Sequence, residues 1–255
     1  MLYNFSMEII TSKNNLKITE IQKLKQKKYR VETGKVLLEG RKIIDEATKS
    51  GLKIETLILT ENTLKLKENF SYQNLLVVSD SIAKTLSSTV TSQDCFAVAL
   101  LKEKKPKPLG NKVLILDKLQ NPDNLGAIVR TAVATGFVDI IAVDSVDMFN
   151  EKVIRSSMGN IFKVNYVESS YEQIKQDFSE FQVCIADMYG QNIFQIDKFC
   201  DKIALVIGNE GNGISEEMKK IANQSLSIPM ENSVESLNAS VSAGIIMYYI
   251  KNKGE

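Results

Sequence analysis

The second half of the chain alternates short, almost continuously apolar runs, such as residues 113–116, with segments of helical periodicity. Strands without polar alternation are buried on both faces, which is typical of a mostly parallel sheet between layers of helices. The pattern therefore predicts an α/β domain. The predicted strands cover 112–117, 139–143, 182–186, 203–207 and 225–228. The predicted helices cover 125–135, 151–158, 171–178, 215–222 and 236–250.

The first half predicts a smaller α/β module. Its predicted helices cover 17–26, 38–47 and 80–86, and its predicted strands cover 56–59, 75–78 and 96–101. Between the halves, residues 102–110 combine lysines with two prolines and a glycine, which is typical of an exposed connector. We therefore predict a first domain over 1–104, a linker over 105–110 and a second domain over 111–255.

Composition narrows the chemistry that the chain can perform. The 255 residues include no histidine, which excludes Ser-His-Asp and Cys-His catalysis as well as histidine metal sites. The three cysteines are widely spaced, so we expect buried apolar thiols, with no disulfide framework and no metal. The N-terminal segment does not resemble a signal peptide, and no apolar run reaches about 18 residues. We expect a cytoplasmic protein without a membrane partner.

A net charge of +1 means that any surface for nucleic acid must come from local clustering. The first half contains one such cluster, in which an aromatic residue stands among basic residues. These residues can grip phosphates and stack on a base, although a solvated helix end is the alternative. The candidate RNA-binding residues of this cluster are Lys27, Lys28, Arg30 and Arg41.

A polar loop follows the strand predicted at 112–117 and leads into a helix of small and apolar residues. Asp123 or Asn124 is expected to cap this helix. Arg130 follows nearly two turns later. An arginine in such surroundings needs an anion or a hydrogen-bonded partner, so an external anion and an internal salt bridge are both open.

A second loop, residues 208–213, follows the strand predicted at 203–207 and contains three glycines. Glycine permits positive φ and close approach of the backbone to a ligand. The loop matches neither a Walker loop nor a dinucleotide fingerprint. Glu210 would repel a phosphate, which favours a neutral or cationic ligand or a ribose hydroxyl. An ordinary glycine-rich turn is the alternative.

A third loop follows the strand predicted at 225–228. Pro229 ends that strand because it has no N–H to donate. Ser236, Asn238 and Ser240 then offer side-chain oxygens to the start of the last helix. Loops at the carboxyl ends of strands are where open α/β sheets bind ligands.

In order and in residue identity, the three loops resemble the motifs of the SpoU-type RNA ribose 2′-O-methyltransferases of the SPOUT superfamily. The resemblance covers about 111–251, with the motifs at 121–132, 205–214 and 228–243. The first half resembles, more loosely, the ribosomal-protein-like substrate-binding domain that often precedes this catalytic domain. The family implies a sheet with a C-terminal trefoil knot, a homodimer through the catalytic domain, and S-adenosylmethionine as cofactor.

The resemblance also implies site residues. By motif, the implied cofactor-binding residues are Ile207, Gly208, Asn209, Gly213, Ile228, Met230, Leu237 and Asn238. The implied catalytic residues are Asn124, Arg130, Glu210, Ser236 and Asn238. Arg130 is implied to reach the site across the dimer, contact the RNA and activate the 2′-hydroxyl. Arginine is a poor base, since its pKa lies above about 12, so binding the neighbouring phosphate is the alternative.

The function that these observations favour is S-adenosylmethionine-dependent methylation of a ribose 2′-hydroxyl in RNA. Ribosomal RNA is favoured over transfer RNA because a substrate domain is present. One alternative is a non-catalytic RNA-binding or ribosome assembly factor with the same fold. A doubly wound nucleotide-binding enzyme is a further alternative, against which the absent fingerprint glycines argue.

Overall fold

The computed structural model describes residues 9–101, 109–232, 234 and 236–253. The chain divides into two compact units. The first consists of Met1–Lys105 with Phe149–Phe162, and the second of Pro106–Met148 with Lys163–Glu255. The sequence-based division places a single linker at 105–110, most of which lies outside the described residues, and it remains a prediction.

The first unit contains a five-stranded sheet of order β1-β4-β3-β5-β2. With elements numbered in chain order through both units, its strands are β1 (Ile9–Ile10), β2 (Lys35–Glu39), β3 (Lys53–Leu59), β4 (Tyr72–Val78) and β5 (Cys95–Leu100). Its helices are α1 (Leu16–Lys23), α2 (Lys27–Thr33), α3 (Arg41–Lys49), α4 (Asp80–Leu86) and α6 (Glu151–Ser156), with a 3₁₀ segment at Glu61–Asn69. β5 is antiparallel to β2 and β3, while β1, β3 and β4 are parallel.

The predicted helix over 38–47 is wrong at its start. Residues up to Glu39 belong to β2, and the helix begins at Arg41. Val36 and Leu38 point inward from β2 and are buried, which is the period-two pattern of a strand. Gly40, with a φ of 98°, then turns the chain into the helix. The helix that begins at Arg41 buries Ile43, Ile44 and Ala47.

The second unit contains a six-stranded sheet of order β11-β9-β10-β6-β7-β8, in which every pairing is parallel. Its strands are β6 (Lys112–Asp117), β7 (Asp139–Val143), β8 (Asn165–Glu168), β9 (Gln182–Asn192), β10 (Ile203–Ile207) and β11 (Gln224–Ser227). Its helices are α5 (Pro122–Thr135), α7 (Tyr171–Asp177), α8 (Glu216–Lys219) and α9 (Ala239–Lys253). The predicted α/β fold with a mostly parallel sheet is confirmed.

The buried strands explain why the sequence located this sheet. β6, β7 and β10 have the predicted bounds, and β7 and β10 are buried at every position. A core cluster joins the sheet to its helices through side chains that include Ile115, Val206, Ile174 and Met218. β8 was not predicted, because only Tyr166 of its four residues is buried.

The structure also tests the expectations that composition raised about the cysteines, a metal site and membrane-spanning helices. Cys95 and Cys184 are buried, and burial raises the pKa of these thiols to about 11 and about 12. Cys200 is exposed, which corrects the expectation of three buried thiols. Within the described residues, no group of three or more Cys, Asp or Glu is placed to hold a metal ion. No helix in that part of the chain is long and apolar enough to span a membrane.

Candidate active site

The three polar loops follow β6, β10 and β11 at the carboxyl edge of the sheet. β6 and β10 are direct neighbours, and β9 separates β10 from β11. Because the strands are parallel, their carboxyl ends lie at the same edge. The fold therefore brings together segments that are about a hundred residues apart in the sequence.

A chain of side-chain hydrogen bonds joins the three loops. Asn124 Nδ2 donates to Glu210 Oε1 at 3.1 Å, and Asn238 Nδ2 donates to Asn124 Oδ1 at 2.9 Å. Asn238 Oδ1 then accepts from the backbone N–H of Ser240 at 2.9 Å. A carboxylate only accepts, so Asn124 must present its amide nitrogen to Glu210, and this fixes the direction of the whole chain. Three of the predicted catalytic residues therefore contact one another.

Glu210 also fixes the first loop directly. Its carboxylate accepts from the backbone N–H of Gln120 at 3.2 Å and of Asn121 at 3.0 Å. Burial by itself raises the pKa of Glu210, but the hydrogen bonds from Asn124 and from the backbone N–H groups of Glu210 itself, Gln120 and Asn121 outweigh it and hold the pKa below its usual value of 4.5. Glu210 is therefore an ionised group that holds the first loop against the second.

The lowered pKa of Glu210 predicts a pH-dependent stability. Since the folded pKa lies below the unfolded one, the contribution is present above about pH 4.5 and is lost as the pH falls through the folded value. We expect Glu210→Gln to lower the melting temperature most at about pH 7, and the gap to wild type to shrink below about pH 4. Thermal unfolding of both proteins across this range measures the gap.

Glu231→Gln is the control for this measurement, because it removes an exposed carboxylate of the same unit without touching the hydrogen-bond chain. A Glu210→Gln gap that stays constant with pH would contradict the assignment.

The helix after the first loop begins earlier than predicted. Asn121, not Asp123 or Asn124, caps α5, and its Oδ1 accepts from the N–H groups of Asp123 at 2.8 Å and Asn124 at 3.3 Å. Pro122 occupies the first helical position, where its missing N–H costs nothing. Because Asn121 performs the capping, the side chain of Asn124 is left to join Glu210 to Asn238.

The second loop closes on itself. Asn209 and Gly213 exchange two backbone hydrogen bonds of 2.9 Å. The side chain of Asn209 accepts from the N–H groups of Gly211 and Asn212 and donates to the carbonyl of Lys118 at 2.8 Å. Its amide is thus used within the protein, and only its backbone faces a ligand. A Cβ at Gly208 would overlap the carbonyl group of Gly213, so glycine is needed there.

An open cavity of about 440 Å³ lies beside these loops. Its lining includes Glu210, Ser236 and every predicted cofactor-binding residue except Asn238: Ile207, Gly208, Asn209, Gly213, Ile228, Met230 and Leu237. Asn238 is not part of the lining, and its side chain is instead hydrogen-bonded to Asn124. The sequence did not indicate that the middle of β9 contributes a further wall, formed by Ala186, Asp187, Met188 and Tyr189, or that Lys219 of α8 lines the cavity.

Arg130 lies on α5 outside the lining of this cavity. Its side chain is exposed, and within the described residues it makes no hydrogen bond or ion pair. The internal salt bridge that the sequence left open is therefore absent from that part of the chain. An unpartnered guanidinium remains available for an external anion.

The basic cluster of the first unit divides into exposed and buried residues. Lys27, Lys28 and Arg41 are exposed, and Lys28 Nζ lies 5.9 Å from the centre of the Tyr29 ring. Arg30 is only 5% exposed and donates to the carbonyl of Leu24 at 2.7 Å. This burial argues against the prediction that Arg30 contacts RNA, because its guanidinium joins α2 to Leu24, the residue that ends α1.

The fold and the cavity define an α/β protein with a ligand site at the carboxyl edge of its sheet. The chain matches the SpoU rRNA Methylase family over residues 111–248 and the MRM3-like substrate binding domain over residues 15–97. The chain therefore belongs to the SpoU rRNA Methylase family.

Individual relatives agree with this membership. The chain is 30% identical over 249 residues to the 23S rRNA (guanosine(2553)-2'-O)-methyltransferase RlmP of Bacillus subtilis (strain 168), covering 96% of this chain and 100% of the relative. The crystal structure of an AdoMet-bound rRNA methyltransferase from Sinorhizobium meliloti is similar with a TM-score of 0.83 and 26% identity, covering 96% of this chain and 97% of that chain. An RNA 2'-O ribose methyltransferase structure is similar with a TM-score of 0.83 and 25% identity, covering 96% and 99%.

Proposed function

We propose that this protein transfers a methyl group from S-adenosylmethionine to a ribose 2′-hydroxyl of ribosomal RNA. The observation that carries the proposal is the cavity whose wall is formed by the second and third loops. The hydrogen-bond chain Glu210–Asn124–Asn238 joins these two loops to the first loop. Family membership supports the reaction, and the names of the relatives support the ribosomal substrate.

The residues that line the cavity fit this cofactor. About 440 Å³ lies in the usual range for small-molecule sites. Ile207, Ile228 and Leu237 offer an apolar slot for the adenine, with the backbone beside Gly208 and Gly213 available to its polar edge. Asp187 and Glu210 suit a cationic ligand, and no phosphate has to be accommodated. When bound, S-adenosylmethionine supplies an electrophilic methyl group on a positively charged sulfur.

The protein's own contribution is mostly positioning. Asn124 and Asn238 hold the loops so that the ribose and the cofactor meet in line, which is where much of the rate acceleration of a two-substrate reaction arises. The guanidinium of Arg130 carries N–H donors and no acceptor, so it donates hydrogen bonds to the phosphate next to the reacting ribose or to the oxygen as that oxygen loses its proton. The 2′-hydroxyl proton passes to that phosphate or to solvent. Ser236 lines the cavity, and we propose that it lies beside the ribose.

The proposal includes a homodimer that brings Arg130 to the partner's cavity. α5 and α9 pack together, and large apolar side chains of α9 remain exposed, Val241 by 48% and Tyr248 by 53%. They are seven residues apart and so lie on one face of the helix. Ala134 and Arg130 are exposed on α5. An apolar face with small residues and one arginine suits a self-complementary interface. The trefoil knot and a cytoplasmic location complete the proposal by family membership.

The two-domain division is proposed with the bounds that the sequence indicates. The match to a substrate-binding domain at 15–97 and the match to the methylase family at 111–248 support a domain over 1–104, a linker over 105–110 and a catalytic domain over 111–255.

Three measurements on the full chain test the function. Calorimetry should detect binding of S-adenosylmethionine, and labelled methyl groups should enter unmodified ribosomal RNA. Mapping of 2′-O-methyl groups in total RNA with and without the gene should locate one nucleotide that changes. Failure to bind S-adenosylmethionine would overturn the proposal. Cofactor binding without transfer to any RNA would favour an assembly factor, and transfer to transfer RNA would replace the substrate.

The exposed part of the basic cluster should contribute salt-dependent RNA affinity. Each phosphate contact that is lost lowers the slope of log affinity against log salt by about 0.7 to 0.9. We therefore expect the double variant of Lys27→Ala and Lys28→Ala to lower the slope by about 1.5 and to weaken binding uniformly across RNA sequences. Filter binding at several salt concentrations measures both.

The matched control replaces Lys53 and Lys65, two exposed lysines of the same unit outside the cluster, with alanine. Equal slopes for the two double variants would make the cluster an ordinary solvated surface.

A further inference from the structure

β9 carries a bulge of unusual size beside the cavity. In its parallel pairing with β11, Ile185 lies opposite Ser225, and the next paired residues are Gln191 and Leu226. Residues 186–190 therefore have no partner on β11. Bulges near active sites redirect side chains, and this one forms a wall of the cavity. We call residues 186–190 the β9 arm.

The β9 arm is anchored at its base. A Cβ on Gly190 would lie 2.5 Å from the carbonyl carbon of Ser225 and 2.6 Å from the nitrogen of Leu226, so only glycine allows the arm to close against β11. Ser227 Oγ donates to the carbonyl of Gly190 at 2.8 Å. The backbone geometry of the arm is therefore set by β11.

The tip of the arm presents two large side chains to solvent. Tyr189 is 90% exposed and Met188 53% exposed, although both line the cavity. The N–H of Tyr189 donates to Asp187 Oδ1 at 2.9 Å, a local turn that holds the tip in shape. In the described residues, the Tyr189 ring packs against no other aromatic ring. The ring is therefore open to contact from solvent.

The position of Tyr189 indicates that its ring contacts the RNA and not the adenine of S-adenosylmethionine. The apolar slot of Ile207, Ile228 and Leu237 lies within the cavity, whereas an almost fully exposed ring stands at its mouth. Under the proposed function, a ribose that enters the cavity would place its base beside this exposed ring, unstacked from its neighbours in the RNA. Unpaired bases stack on aromatic side chains, and each such contact is lost on alanine substitution.

We infer that Tyr189 is a stacking platform for a nucleobase of the RNA at or next to the methylated nucleotide, with Met188 extending the apolar surface. The inference rests on the proposed function and assigns part of its substrate recognition to the β9 arm. It makes Tyr189 a specificity-determining residue that takes no part in moving the proton or the methyl group.

The chain contains no tryptophan, so one can be introduced as a unique reporter. In Tyr189→Trp, the indole should keep the stacking surface, and its fluorescence should be quenched by in vitro-transcribed 23S rRNA in the presence of S-adenosylhomocysteine. Phe194→Trp is the matched control, because Phe194 is 52% exposed in the same unit but does not line the cavity. Its fluorescence should change little.

Activity separates stacking from other effects. Tyr189→Ala and Tyr189→Leu should lower kcat/KM for the RNA by about 5- to 150-fold, whereas Tyr189→Phe, which keeps an aromatic ring, should lose much less. Affinity for S-adenosylmethionine should change far less than kcat/KM in the alanine and leucine variants, because the Tyr189 ring is 90% exposed. A leucine variant as active as phenylalanine would overturn the inference. Cofactor affinity that falls as much as kcat/KM would also overturn it, as would an unquenched tryptophan. Wild-type protein that fails to bind S-adenosylmethionine would instead refute the proposed function.

Discussion

Replacing Arg130 with alanine is expected to lower kcat by about a hundredfold to a thousandfold while cofactor affinity stays unchanged. Losing one preorganised donor to developing charge has an effect of this size. Arg130 is exposed, makes no hydrogen bond or ion pair among the described residues and does not line the cavity, so its removal should affect neither folding nor cofactor binding. Single-turnover methyl transfer with calorimetry of S-adenosylmethionine measures both quantities.

Arg130→Lys is the companion variant. Lysine keeps the charge but loses the planar pair of donors, so partial activity is expected if two hydrogen bonds to phosphate matter. Wild-type rates for Arg130→Ala would remove Arg130 from the reaction, and equal losses in cofactor affinity and rate would mean that it supports the fold of the loops instead.

Mixed dimers test whether Arg130 acts on the partner's cavity. Arg130→Ala and Gly208→Ala subunits would be mixed at an S-adenosylmethionine concentration that fills the wild-type cavity but leaves the Gly208→Ala cavity largely empty, so that each parent dimer is nearly inactive for a different reason. If Arg130 reaches across the dimer, one site of each mixed dimer combines an intact cavity with an intact arginine. Random mixing should then restore roughly a quarter of wild-type activity. No restoration would place Arg130 with the cavity of its own chain.

The sequence located what depends on local pattern. β6, β7 and β10 are apolar almost throughout, so their sequences show neither the periodicity of an amphipathic helix nor that of a half-exposed strand. The three motif loops were found because their residue types are unusual for simple connections. β2 was misassigned because Lys35 and Glu39 flank only two buried residues, and the following helix was extended backwards into them.

Long-range contacts determined what the sequence did not indicate. Arg30 looked like its exposed neighbours, but its guanidinium reaches a carbonyl on α1. The β9 arm depends on how closely Gly190 approaches the backbone of β11, and nothing near Gly190 in the sequence specifies that partner. The same holds for the Glu210–Asn124 contact, whose partners are 86 residues apart.

These contacts also change the predicted roles. Glu210, Asn124 and Asn238 were implied to be catalytic, yet their polar atoms are largely used in joining the loops. Because their hydrogen bonds are made within the protein, these three residues position the loops. We therefore propose that the chemistry is left to Arg130 and the RNA's own phosphate, which suits a chain without histidine.

Gly208→Ala is expected to weaken S-adenosylmethionine binding by about tenfold to a hundredfold. The added Cβ would overlap the carbonyl group of Gly213 and lie 2.8 Å from the nitrogen of Ile214. Backbone cannot move aside as a flexible side chain can, so the Asn209–Gly213 bridge must open and the cavity wall with it. Overpacking of this kind costs about 1 to 3 kcal/mol, and each 1.4 kcal/mol taken from binding is about tenfold in affinity.

Gly211→Ala is the control for this variant because it lies in the same loop and also lines the cavity. Its Cβ would meet only Asn209 Oδ1, at 3.6 Å, which is an ordinary contact. We expect its affinity for S-adenosylmethionine to stay within about twofold of wild type. Calorimetry of the two variants, with thermal unfolding to verify that both are folded, measures the difference. Equal affinities would mean that the close approach at Gly208 does not shape the cofactor site, and would contradict the assignment of this cavity to S-adenosylmethionine.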